Sequence, residues 1–107
     1  MRFAIVLAPE AARVLRALPA RHRAEVRDAL ELHLRHEPRK ASKSRIKRLR
    51  GMAKPQYRLR VGETRVFYDV TDEAVEVLAI VAKKQAQAWL AGHGRPDPEG
   101  GSGEGEG

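Results

Sequence analysis

Three arginines in one predicted β-hairpin are the residues of this chain whose types and spacing point most directly to chemistry. The hairpin covers residues 57–68, and its Gly62-Glu63 pair suits a two-residue primed turn. Pairing outward from that turn places Arg60 opposite Arg65, and strand alternation puts Arg58 on the same face. Like charges directly opposite each other are destabilising. The face is therefore predicted to meet an anion, with a solvated arginine-rich surface as the alternative.

The charge of the chain as a whole also favours an anionic partner. The 107 residues carry a formal net charge of +7, with a pI of about 10.4. All 21 Lys and Arg residues lie within residues 1–95, where only 10 of the 14 acidic residues lie, so this part carries +11. A small domain with this charge is suited to a polyanion, or to an acidic protein that neutralises it.

Composition excludes several classes of protein. A chain of this length predicts one domain. It contains no run of about 18 apolar residues, so neither a transmembrane helix nor a membrane partner is predicted. There are no cysteines, which excludes disulfides and thiolate metal sites and fits a reducing cytoplasm, the expected location. The four histidines are scattered without metal-ligand spacing, so neither a metal nor another cofactor is expected.

The periodicity of apolar residues predicts an α+β fold. An opening strand at 2–7 precedes two helices, the first from Pro9 to about Leu18 and the second from Pro19 to Pro38. Further strands are predicted at 46–49, in the hairpin and at 75–81, with turns at 51–55 and 71–74 and a short closing helix at about 83–91. The expected architecture is an N-terminal strand and helical hairpin packed on one face of a mostly antiparallel sheet of four to five strands.

The predicted layers leave the arginine-bearing face of the sheet open to solvent, since the helical hairpin covers the other face. Residues 1–92 form the predicted domain, and the Gly/Glu-rich residues 93–107 form a predicted disordered tail. On the arginine face, Asp69 is a candidate to neutralise the cluster. Trp89 is interpreted as a core residue rather than a stacking platform, and His33 as a partly buried packing residue.

The succession of short motifs resembles the RelE/ParE family of bacterial toxins from type II toxin–antitoxin systems. The resemblance spans about residues 2–90 and implies a RelE-like fold. Its parts are Leu15-Arg16-Ala17-Leu18-Pro19, Lys47-Arg48-Leu49-Arg50-Gly51, Tyr57-Arg58-Leu59-Arg60-Val61-Gly62, Arg65-Val66-Phe67-Tyr68 and the strand Val75–Val81. Each motif is weak alone, but their order is specific.

The resemblance implies a function and partners. RelE members cut messenger RNA in the ribosomal decoding site, whereas ParE members poison DNA gyrase, and a cognate antitoxin silences both. Metal-free RNA cleavage needs the 2′-hydroxyl deprotonated, the charge on phosphorus stabilised and the leaving 5′-oxygen protonated. Arginine is a poor base but a good bidentate phosphate ligand.

Eight basic residues are candidates for the site, and three of them, Arg58, Arg60 and Arg65, match positions where the resemblance implies catalytic Lys or Arg. Arg60 and Arg65 are expected to stabilise the transition state, and Lys84 is the third candidate catalytic residue. The predicted RNA-binding residues are Arg58, Lys54, Arg48, Arg50 and Lys83.

Two departures from the family pattern keep other hypotheses open. RelE members place an Arg just after the last strand and a Tyr on the closing helix, where this chain has Gln85 and Ala91. Lys84 could replace the Arg after a one-residue shift, and Trp89 could stack on a base. The leading hypothesis is a ribosome-dependent mRNA endonuclease. The alternatives are a gyrase inhibitor without catalysis and a degenerate member that only binds its antitoxin.

Overall fold

A computed structural model of the chain describes residues 1–98. Its elements, in chain order, are β1 (Ala4–Leu7), α1 (Pro9–Ala17), α2 (Ala20–Leu34), β2 (Ile46–Arg48), β3 (Met52–Lys54), β4 (Tyr57–Val61), β5 (Thr64–Val70), β6 (Ala74–Ala82), α3 (Lys83–His93) and β7 (Arg95–Pro96). Five strands form one sheet in the order β1-β6-β5-β4-β2, with β1 parallel to β6 and the other neighbours antiparallel. The predicted fold class is confirmed. No helix of this part of the chain is long and apolar enough to cross a membrane.

The hairpin between β4 and β5 has the predicted register throughout. Arg60 pairs with Arg65, Arg58 with Phe67, and Val61 with Thr64 on either side of the turn. Gly62 has a φ of 60°, the left-handed conformation that a Gly-X primed turn requires of its first residue. The turn therefore sets which side chains share a face.

The helical hairpin covers the face predicted for it. Pro9 begins α1, and an extended Leu18 separates it from α2, whose N-cap is Pro19. The buried residues of both helices pack on the apolar face of the sheet; this core includes Leu15, Val26, Leu30, Leu34, Leu59, Val66, Tyr68, Val75 and Val77. Helix α2 ends at Leu34, four residues before the predicted end at Pro38.

The opposite face of the sheet is not fully open, contrary to the sequence-based expectation. Helix α3 crosses this face, and Trp89 stacks on Phe67 with ring centroids 4.9 Å apart and planes 7° apart. Phe67 is only 1% exposed as a result. Trp89 thus packs on the sheet, but it is half-buried and lies outside the hydrophobic core, so its interpretation as a core residue holds only in part. The open part of the face is confined to the hairpin end.

A second, two-stranded sheet corrects two further predictions. Residues 52–54 form β3 instead of a simple turn, and they pair with β7 just beyond α3. The predicted boundary at residue 93 is therefore too early, since 93–98 continue the folded domain; the rest of the predicted tail lies outside the described residues. A Cβ on Gly94 would lie 2.7 Å from the backbone carbonyl oxygen of Leu90, which cannot move aside as the tip of the nearby Met52 side chain can, so the end of α3 requires glycine.

Candidate nucleic-acid interface

The basic face is wider than the hairpin, because β2 extends it along the edge of the sheet. In the β2–β4 register, Lys47 pairs with Arg58 and therefore shares its face. One step along, the Arg60 backbone N–H donates to the Arg45 carbonyl at 2.9 Å. Lys47 was not among the predicted site residues. The three hairpin arginines could be placed by pairing residues outward from their turn. No short turn links β2 to β4, so the same reasoning could not place Lys47.

Arg65 is held in place by the hairpin turn. Its Nη1 donates to the carbonyl of Gly62 at 2.8 Å and to that of Thr64 at 3.1 Å. The residue is 8% exposed. The guanidinium is therefore fixed in one orientation, which suits a residue that stabilises charge without moving.

Arg58 is partly buried and has no compensating partner among residues 1–98. Its Nε–H group is buried and donates no hydrogen bond within residues 1–98. Burial, followed by the charges of Arg65 and Arg60, lowers the pKa of Arg58 below its usual value. Among the described residues, no ion pair includes Arg58, Arg60 or Arg65. The fold thus concentrates three cations without a carboxylate, at a cost in stability that an incoming anion would offset.

The start of α3 brings two predicted lysines to the same end of the sheet. The Lys83 backbone N–H donates to the Glu63 carbonyl at 2.7 Å, which ties the helix to the hairpin turn. Lys83 and Lys84 then line one shallow depression with Glu63, and both are exposed. Lys84 therefore lies beside the hairpin turn that precedes Arg65.

Lys54 lies away from this cluster and has carboxylate partners. Its Nζ lies 3.0 Å from Asp69 Oδ2 and 3.8 Å from Glu76 Oε1. Asp69 also accepts the Gln56 backbone N–H at 2.8 Å. The suggestion that Asp69 neutralises the arginines is wrong, because it pairs with Lys54 at the other end of the face. The RNA-binding role predicted for Lys54 stays a prediction, weakened by these two carboxylates.

Arg48 and Arg50 border the face at β2. Arg48 Nη1 donates to the carbonyls of Leu49 and Gln56, at 3.1 and 2.8 Å, and the guanidinium carbon lies 5.3 Å from the centroid of the Tyr57 ring. Arg50 is exposed in the turn that follows. Together with Lys47, Met52 and Leu90 they line a groove between β2 and the end of α3. This groove continues the basic surface away from the hairpin.

The face has the composition of a phosphodiester site. Within residues 1–98, no group of three or more His, Asp or Glu side chains is placed to hold a metal ion. What the fold brings together is a set of basic side chains, Arg58, Arg60, Arg65, Lys47, Lys83 and Lys84, next to a stack of aromatic rings. Guanidinium groups bind phosphate oxygens in a bidentate manner, and aromatic rings stack on bases.

Comparison with known proteins gives structural matches only. No protein-family model matches the chain, and no curated protein sequence does. A chain of the archaeal RelE–RelB complex from Pyrococcus horikoshii is 28% identical, with a TM-score of 0.58, and the match covers 78% of this chain and 97% of that one. A chain of the toxin–antitoxin complex RelBE2 from Mycobacterium tuberculosis is 25% identical, with a TM-score of 0.57 and coverages of 77% and 99%.

A third match extends the likeness in fold. A chain of the RelB–RelE antitoxin–toxin complex from Methanococcus jannaschii superposes with a TM-score of 0.60 over 79% of this chain and 98% of that one. At 19% identity, this likeness concerns the fold alone. In all three comparisons nearly the whole of the other chain is matched, so the correspondence is with a complete RelE-type domain.

Proposed function

Because this chain belongs to the RelE-like toxins, we propose that it is a ribosome-dependent mRNA endonuclease that a cognate antitoxin holds inactive. The observation that carries the proposal is the arginine cluster on the β4–β5 hairpin, which has no carboxylate partner within residues 1–98. The solved complexes of similar fold pair RelE with RelB. An antitoxin that covers this basic surface would exclude RNA from it.

The proposed reaction is an attack of a ribose 2′-oxygen on the adjacent phosphorus. The new P–O2′ bond forms as the P–O5′ bond breaks, leaving a cyclic phosphate and a free 5′-hydroxyl. Arg60 and Arg65 bind the non-bridging oxygens and stabilise their growing charge, as fixed donors do in other transition states. Arg58 positions the phosphate, and Lys84 donates the proton that the leaving 5′-oxygen takes up.

The other proton transfer is assigned to the ribosome. Gln85 and Ala91 stand where RelE members carry an Arg and a Tyr, and the ring of Trp89 packs on Phe67. An amide and a methyl group cannot accept the 2′-hydroxyl proton. We therefore expect free RNA to be cut slowly and ribosome-bound message to be cut rapidly. The gyrase-inhibitor alternative is not favoured, since the similar structures reported above are RelE complexes.

Expression in bacteria tests the proposal. The chain expressed alone should stop growth, and primer extension should reveal new 5′ ends within messages. Co-expression of the neighbouring reading frame, the candidate antitoxin, should restore growth and remove those ends. Normal growth with folded protein accumulating would contradict a toxin of any kind. Arrest without new message ends would contradict the nuclease.

A further inference from the structure

Three aromatic rings stack from the sheet to the surface on the basic side of the molecule. Trp89 lies on Phe67 as described, and His93 lies on Trp89 with ring centroids 5.0 Å apart and planes 12° apart. The three rings are therefore nearly parallel. Phe67 is buried, Trp89 is half-buried and His93 is exposed, so the stack ends in solvent.

The burial of Phe67 explains only the lower of these two ring contacts. The Phe67–Trp89 pair already buries the phenyl ring, which packing alone would explain. His93 adds a parallel ring at the exposed end, and its Nδ1 lies 3.2 Å from the Trp89 carbonyl oxygen, which fixes the orientation of the imidazole. An exposed ring fixed parallel to two others presents a flat surface with the geometry of base stacking.

The stack begins beside the proposed phosphate site. Phe67 is the direct cross-strand neighbour of Arg58, and such neighbours have Cβ atoms about 4.5–5.5 Å apart. An RNA strand whose phosphate lies on Arg58 and Arg60 would therefore have its adjoining bases within reach of α3. Leu90, the neighbour of Trp89 on α3, lines a groove with Lys47 and Arg50. Because Lys47 pairs with Arg58 and Arg58 with Phe67, basic side chains extend from the base of the stack towards the β2 edge of the sheet.

We propose that His93, with Trp89 beneath it, is the platform on which an unpaired base of the RNA substrate stacks while the adjoining phosphate lies on the arginines. This proposal rests on the proposed function and specifies its substrate as single-stranded RNA with a base turned out towards α3. Neither residue takes part in proton transfer or in charge stabilisation. Both are positioning residues that set where the strand lies.

Fluorescence provides a direct test, because Trp89 is the only tryptophan in the chain. The full chain is titrated with an eight-nucleotide single-stranded RNA that carries 2′-O-methyl groups, so that cleavage cannot occur. A second RNA has the same sugars and phosphates but lacks bases at its central positions. Both RNAs present the same charge, so a difference between them reports contact with the bases.

The intact RNA should quench Trp89 and bind about ten- to a hundredfold more tightly than the abasic RNA, as stacking of one to two bases gives. His93→Ala should remove most of that preference while leaving the affinity for abasic RNA unchanged. His93→Phe, which keeps a flat ring, should restore the preference. His36→Ala, at an exposed histidine of another segment, is the matched control and should bind as the parent chain does.

Two results would overturn the platform. Equal affinity of the parent chain for both RNAs would mean that the bases make no contact, although the arginine site and the nuclease could stand. A base preference that survives in His93→Ala, with the melting temperature unchanged, would place the base elsewhere. If neither RNA binds, both the platform and the proposed phosphate site fail.

Discussion

The three arginines of the hairpin share a face but occupy different environments. Arg60 is exposed, Arg65 is fixed to the carbonyls of the turn, and Arg58 is partly buried with an unpaired Nε. Substitution should therefore separate their contributions to stability and to activity. Cross-strand repulsion applies to all three, but Arg65 also provides hydrogen bonds that the turn would lose.

Arg60→Ala and Arg65→Ala should affect stability in opposite directions. Losing Arg60 relieves repulsion, so the free energy of unfolding should hold or rise by up to about 1 kcal/mol. Losing Arg65 leaves two turn carbonyls without their buried donor and should cost about 1–3 kcal/mol. Cleavage should fall by about 10²–10³ in either variant. Urea unfolding and message cleavage are the measurements, and Arg21→Ala, at an exposed arginine, is the control. Equal changes in the free energy of unfolding of Arg60→Ala and Arg65→Ala would contradict this assignment.

His33 gives the fold a predicted dependence on pH. Burial, with a smaller contribution from the charge of Arg45, lowers the pKa of His33. The unfolded chain therefore binds the proton more readily than the folded one, so this contribution to stability is full above about pH 6.5 and is lost as the pH falls below it. The free energy of unfolding should decrease from pH 7 to pH 5, and His33→Gln should reduce that decrease. His36→Gln, at an exposed histidine, should leave that decrease unchanged. If His33→Gln lost as much free energy of unfolding between pH 7 and pH 5 as the parent chain, the assignment would be contradicted.

At the scale of elements, the hairpin could be predicted because its turn sets its own register. Gly62 requires a defined turn, and every pair from Tyr57–Tyr68 to Val61–Thr64 follows from it. The contacts that the sequence did not reveal join segments far apart in the chain. The pairing of β3 with β7, the ion pair of Lys54 with Asp69 and the place of Lys47 beside Arg58 all depend on how loops return to the sheet. The local periodicity of apolar residues does not indicate which distant segments come into contact.

On β3, the basic residue Lys54 is expected to stabilise the fold and not to bind a ligand. Lys54→Met should lower the free energy of unfolding by about 1 kcal/mol, because Asp69 is left facing Glu76 without a cation. Lys54→Met combined with Asp69→Asn should recover part of that loss, since the repulsion is then removed. Lys43→Met, in an exposed loop, is the control for loss of one positive charge. Chemical denaturation provides the values.

The same Lys54→Met variant separates the fold from the predicted RNA contact. We expect its affinity for single-stranded RNA to match that of Lys43→Met, far above that of Arg60→Ala. An affinity as low as that of Arg60→Ala would restore Lys54 to the RNA-binding surface and would contradict the structural role.

At the scale of the whole molecule, charge sorts the surface into regions. Eight of the 21 Lys and Arg residues lie where α3, β2 and the hairpin meet, whereas the opposite face of the sheet is covered by α1 and α2. The carboxylates of Asp69 and Glu76 lie at the end of the sheet away from the turn, with Lys54 between them. An anionic strand is therefore directed towards the arginines, and an acidic antitoxin would compete for the same surface.

Binding of single-stranded RNA should weaken steeply as salt is added. Each phosphate neutralised on a single strand contributes about −0.7 to the slope of log affinity against log salt, so three contacts predict about −2. Arg60→Ala should make the slope shallower by about 0.7, whereas His93→Ala should leave it unchanged. A slope near zero for the parent chain would mean that the basic surface is not the binding surface.

Cleavage of message on purified ribosomes tests the central claim most directly. Ribosomes programmed with a defined message are mixed with the parent chain or with Arg60→Ala, and the new 5′ ends are mapped. We predict cleavage by the parent chain, about 10²–10³ slower cleavage by the variant, and no cleavage when the 2′-hydroxyl at the cut site is replaced by hydrogen. A message left intact by folded parent protein, or a 2′-deoxy site cut as fast as the unmodified one, would contradict the account.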